Sequence, residues 1–121
     1  MKVRIDPLDT LFSRVVRLKA DGRCEYCLQS FPLEKLQTSH FHGRRKLSTR
    51  FDFENVCAVC YSCHNFFHEH PNMHVAFFEK RLGTERFEAL NIRANMIIKM
   101  SVHDRHELKK KLKDMIKELE K

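Results

Sequence analysis

Apolar side chains near the N-terminus recur with a helical rhythm: Leu8, Leu11, Phe12, Val15, Val16 and Leu18 fall mostly three or four apart. That period predicts a helix with Asp6 as N-cap and Pro7 at its first position, and Gly22 offers a left-handed exit from it. Between Phe31 and Phe53 the rhythm is lost. Residues 36–41 and the piece around residues 50–53 read as two short strands, or an irregular hairpin, joined by a loop over residues 43–48. From Cys60 a helix is expected to about His70, where Pro71 stops it. A further helical run, residues 73–82, ends at Gly83. Thr84 is the expected N-cap of the next helix, which lines up Phe87, Leu90, Ala94 and Ile97. Ser101 with Asp104 resembles a capping box. The helix after it sets Leu108, Leu112, Met115, Ile116 and Leu119 on one stripe, with its lysines largely elsewhere. The fold expected is α+β and mostly helical, one domain over residues 1–121. It comprises an N-terminal helix (1–22), a Cys- and His-rich core (23–72) and a helical C-terminal part (73–121).

Composition then narrows the class. In 121 residues, 42% are apolar and 32% charged, enough for a modest core and against wholesale disorder. No apolar run approaches the roughly 20 residues that span a bilayer, so no membrane role is expected. Residues 1–9 lack the apolar stretch of a signal peptide, and the expected location is the reducing cytoplasm. The formal charge is +7, and it is unevenly spread. Residues 51–75 hold no Lys or Arg, three acids and four of the eight His, between basic flanks. A metal site suits such a centre. Phosphate contacts suit the flanks, although lysines and arginines there also serve as solvated helix faces.

The cysteines carry the first specific chemistry. Cys24-x2-Cys27 and Cys60-x2-Cys63 are separated by 32 residues. Two turns, each presenting two thiolates, supply the four soft ligands of a closed tetrahedral zinc site. Two disulfides are the competing reading, disfavoured by the odd count of five and the lack of an export signal. Cys57 makes a rival Cys57-x2-Cys60 pair, but within Val56-Cys57-Ala58-Val59 it reads as a buried small hydrophobe.

Four thiolates leave His40, His42, His64, His68, His70 and His74 for other work. His64 and His68 stand four apart on the expected helix, so both imidazoles can face one point and hold a divalent cation. The ordinary reading of any one of them is a surface histidine. Taken together, Cys24-x2-Cys27, Thr38-Ser39-His40-Phe41, Asn55 and Cys60-x2-Cys63-His64 resemble a zinc-stapled HNH endonuclease with its ββα-metal motif. The string from Gln37 through Arg50-Phe-Asp-Phe-Glu-Asn55 to Cys63-His64 is similar to phage-type, NinG-like recombination proteins.

The resemblance implies roles for particular residues. His40 would be the general base on the attacking water, for which an ordinary pKa of about 6.5 is suited. Asn55 would orient the loop and His40. His64, helped by His68, would bind the catalytic divalent metal, whether Mg2+, Mn2+, Ni2+ or Zn2+, which acts as a Lewis acid on the scissile phosphate. One departure is visible: the residue before the base is usually a metal ligand, and here it is Ser39. The reading is that His68 completes the site, or His42, two residues along the strand from His40; otherwise the metal is held weakly through water. Arg44, Arg45, Lys46 and Arg50 form a basic loop suited to DNA backbone phosphates. The function expected is a metal-dependent DNA endonuclease, phage-type, nicking with low sequence specificity. The alternative is a zinc-stabilised nucleic-acid-binding module without catalysis. The apolar faces of the last helices serve an intramolecular core or a homodimer equally well.

Overall fold

The computed structural model describes residues 4–121. Helix α1, Pro7–Lys19, starts as Asp6-Pro7 predicts. The Asp6 carboxylate accepts from the Leu8 and Asp9 amides, and Asp9 returns a bond to the Asp6 amide, which closes a capping box. Past its end, Asp21 and Gly22 both take positive φ. Gly22, at φ 76°, turns the chain so that its carbonyl accepts from the Phe31 amide at 2.7 Å, with Phe31 returning antiparallel to it.

Two strands form one antiparallel sheet: β1, Leu36–His40, and β2, Val56–Cys60, paired from Leu36↔Cys60 to His40↔Val56. The expectation for β1 holds, but the piece around residues 50–53 is not a strand. Residues 47–50 make a single helical turn, α2 (Leu47–Arg50), and Phe53–Asn55 is a 3-10 turn whose Glu54 amide is capped by the Asp52 carboxylate. Phe51 and Phe53 do not alternate between faces, because both converge on Phe12 of α1, at centroid distances of 5.7 and 4.8 Å. The second strand lies just downstream, where all five residues of β2 are buried. A strand covered on both faces shows no alternation, and so its period is invisible in sequence.

Helices α3 (Tyr61–Glu69), α4 (Pro71–Leu82), α5 (Thr84–Ala94) and α6 (Val102–Leu119) follow. Pro71 stops α3 and also opens α4 as its first residue, since proline needs no amide partner there. Gly83, not Thr84, caps α5, and Thr84 is already helical. Ile97 lies beyond α5 and is 97% exposed, so it does not extend the stripe of Phe87, Leu90 and Ala94. The Ser101–Asp104 capping box is formed.

The sheet is the middle layer. Val56 and Ala58 pack with Leu8, Phe12, Val15 and Val16 of α1 and with Leu112 of α6. On the other face, Cys57 and Val59 pack with Phe67, Phe78 and Leu90 from α3, α4 and α5. The apolar stripe of α6 is therefore used within the chain, against α1. The outer side of β2 is occupied by Glu25, whose carboxylate accepts from the Ala58 amide, and by Arg81, which donates to the Val56 carbonyl at 2.8 Å. A side-chain cover of this kind blunts a strand edge against pairing with another chain.

Candidate functional site

The four cysteines come together. Cys24 and Cys27 sit on the turn after α1; Cys60 ends β2 and caps α3, whose first turn carries Cys63. Their four sulfurs lie within 4.8 Å of one another, and no disulfide is formed. Burial pushes the Cys24 thiol up, but amides of Cys27, Cys60 and Tyr26 donate to it and bring it down to about 7. A thiol so prepared gives up its proton readily to a cation. This donor set is suited to a closed metal site, and the group has its chemistry from four thiolates alone. Cys57 is apart from it, fully buried, its thiol pushed up by burial and by the neighbouring Glu25 carboxylate.

Strand alternation sorts the residues around His40. Thr38 and His40 face α1: Thr38 Oγ1 is 2.8 Å from Ser13 Oγ, and the His40 ring lies 6.1 Å from that of Phe12. Ser39 points to the opposite face, 3% exposed, its hydroxyl lying 3.2 Å from His74 Nε2 of α4. His40 Nε2 is 3.0 Å from the Arg50 carbonyl. A carbonyl can only accept, so Nε2 carries the proton and Nδ1 keeps its lone pair. Burial holds the His40 pKa below its ordinary value, against the opposing pull of that hydrogen bond. Near neutrality the ring is unprotonated.

Asn55 is fully buried and ties the loop that follows β1. Its Oδ1 accepts from the His42 amide at 2.8 Å, and its Nδ2 donates to the carbonyls of His42 and Thr49 at 2.8 and 3.0 Å. Its backbone carbonyl also accepts from Phe41. Asn55 thus sets the path of the loop from which the Arg50 carbonyl meets His40.

A cleft of about 560 Å3 runs between α1 and this region, and His40, His64 and Arg44 line it. Burial lowers the pKa of His64, and the nearby imidazole of His68 adds to the effect. His68 itself is exposed on α3. His42 lies beyond the end of β1, so alternation does not align it with His40; its Nε2 meets Asn91 Oδ1 on α5 at 2.8 Å instead. Among the described residues, no group of three or more His, Cys or acidic ligand atoms forms other than the four cysteines.

The basic loop divides. Arg50 turns inward and clasps Asp9 of α1 through Nε and Nη2, at 3.0 and 2.5 Å, with Asp6 alongside at 3.6 Å. It latches the loop to α1 instead of standing out to solvent. Arg44 reaches the same Asp9 at 3.5 Å, while Lys46 Nζ lies 3.4 Å from Asn95 Oδ1. Arg45 belongs to this loop as well. Sequence patterns gave His74 no particular role and did not single out Arg17. His74 is a hydrogen-bond partner of Ser39 within an aromatic cluster, and Arg17 lines the cleft from α1. Thr10, Ser13 and Arg17, spaced three and four apart, are the signal for a polar helix face there. No family model, no curated protein and no solved structure matches the chain.

Proposed function

We propose that the protein is a metal-dependent DNA endonuclease of the HNH type, held together by zinc on Cys24, Cys27, Cys60 and Cys63. The single observation that carries this reading is the cleft shared by His40 and His64, with the His40 ring kept neutral by burial and its tautomer fixed by the Arg50 carbonyl. His40 Nδ1 takes the proton from the attacking water, since its lone pair is the one left available. Asn55 and the Asp9–Arg50 latch orient that ring through the loop backbone. A divalent cation on His64 and His68, bound with water and substrate phosphate, would supply Lewis acidity at the scissile bond. Arg44 contacts the backbone beside it. Phosphate contacts carry no direct base information, so specificity is low.

A second reading, a zinc-stabilised nucleic-acid-binding module without catalysis, has one observation in its favour. The Ser39 hydroxyl is committed to His74, and among the described residues His64 and His68 gain no third ligand. Supercoiled plasmid incubated with Mg2+, Mn2+, Ni2+ or Zn2+ separates the two. Nicking that disappears in His40→Ala, with bound zinc and DNA binding retained, is the expected result. Nicking that persists in His40→Ala, or that no metal elicits, overturns the nuclease and leaves the binding module.

A further inference from the structure

Arg17 lines the cleft as a cation whose charge no acidic group among the described residues answers. Its Nε donates to the Ser13 carbonyl and hydroxyl at 3.2 and 3.3 Å, and its Nη1 donates to the Leu33 carbonyl at 3.3 Å. All three acceptors are neutral. Among the described residues Arg17 makes no ion pair, whereas Arg14, one turn back, is paired with Glu120, and Arg50 with Asp9. Arg17 is also half-buried, and burial together with the Arg14 charge lowers its pKa. A guanidinium that is partly desolvated and fixed by neutral acceptors, without a carboxylate, favours an incoming anion.

The surroundings supply the rest of an anion subsite. Ser13 and Thr38 meet oxygen to oxygen at 2.8 Å, which uses one hydroxyl proton and leaves the other to donate. Both residues line the cleft with Arg17, His40 and His64. The cleft volume is in the range that holds a nucleotide-sized group.

We propose that Arg17 and the Ser13–Thr38 hydroxyl pair form a phosphate subsite on the α1 wall, which grips a backbone phosphate next to the phosphodiester that His40 faces. The nucleic-acid identity of that phosphate rests on the endonuclease reading; the anion site itself does not. Arg17 is a binding residue here, with no part in the chemical step. Helix α1 therefore forms one jaw of the cleft as well as its seat.

The test is duplex DNA affinity by fluorescence anisotropy over a series of salt concentrations, with no divalent metal added. Arg17→Gln keeps hydrogen-bonding capacity and loses the charge. It is expected to weaken binding and to reduce the slope of log K against log salt by about 0.9, one counterion's worth. Arg17→Lys keeps that slope, and Arg14→Gln leaves it unchanged. An unchanged slope in Arg17→Gln with normal zinc content overturns the subsite. If Arg17→Gln fails to fold, the wild-type protein decides: its Arg17 Nε–H resonance moves on titration with duplex, and a resonance that stays put overturns the proposal. Inorganic phosphate that moves it as strongly as duplex at equal concentration refutes the backbone-phosphate identity. Because no cutting is measured, loss of the nuclease reading through His40→Ala and loss of this subsite are separate outcomes.

Discussion

His74 carries one of the larger electrostatic costs in the molecule. Its ring stacks on Phe67 at 4.5 Å and meets Phe41 and Phe78 edge-on. Burial, with His64 nearby, pushes its pKa down to about 4. An unfolded imidazole titrates near 6.5, so between those values the unfolded chain binds more protons than the folded one. Stability contributed by neutral His74 is complete above about pH 6.5 and is lost as pH falls toward about 4. Urea midpoints measured across this window should therefore drop with acidification, and drop less steeply in His74→Phe. Equal slopes in the two proteins would assign the acid sensitivity elsewhere, for example to release of metal from the thiolates. The same scale explains a limit of reading by residue type. Ser39 looks like a missing ligand in the sequence, yet its hydroxyl is occupied on the far face of β1 by His74, a partner thirty-odd positions away.

Helix α1 does more than cover the sheet. Its buried face supplies Phe12, 1% exposed, against which Phe51, Phe53 and the His40 ring all rest. Its first turn supplies Asp9, which holds Arg50 and through it the loop that carries the carbonyl facing His40. Phe12→Ala is expected to cost about 3–5 kcal/mol in denaturant unfolding, the range for deleting a buried ring. On the proposed nuclease reading it should also impair nicking under conditions where the variant is still folded, because the ring that seats His40 is gone. A loss of stability with the nicking rate per folded molecule unchanged would separate α1 from the site. At this scale the helices were legible from local signals: Asp6-Pro7, the Ser101–Asp104 box and Pro71 act within a few residues of where they stand. The second strand was not, because burial on both faces removes the alternation that marks a strand.

Across the whole molecule, the cysteine cluster staples the turn after α1 to the junction of β2 and α3, the same junction that leads to His64. On the proposed zinc site, a strong chelator or Cys63→Ser should unfold the core and not merely loosen a loop. Structural zinc is worth about 10–16 kcal/mol of apparent binding free energy in small fingers, as much as a domain's whole stability. Circular dichroism that keeps its helical signal, with sharp thermal unfolding after metal removal, would overturn this. The basic flanks noted in the sequence also divide at this scale. Arg50 and Arg93 are neutralised by Asp9, Asp52 and Glu54, so they are structural cations, and Arg17 is left facing the cleft.

By itself, the sequence determined the capped starts of α1 and α6, the four-cysteine group, the burial of Cys57 and the mostly helical α+β class. Each depends on short-range rules: period, cap, spacing and apolar context. Tertiary structure alone decided that His40 and His64 share a cleft, that Arg50 is a latch and that Arg17, in that cleft, has no ion-pair partner among the described residues. It also decided that Ser39 answers to His74. Those outcomes depend on which elements meet across the sheet. A side chain's charge and hydrogen bonds acquire a role only when its partners, distant in the chain, are brought within a few ångströms.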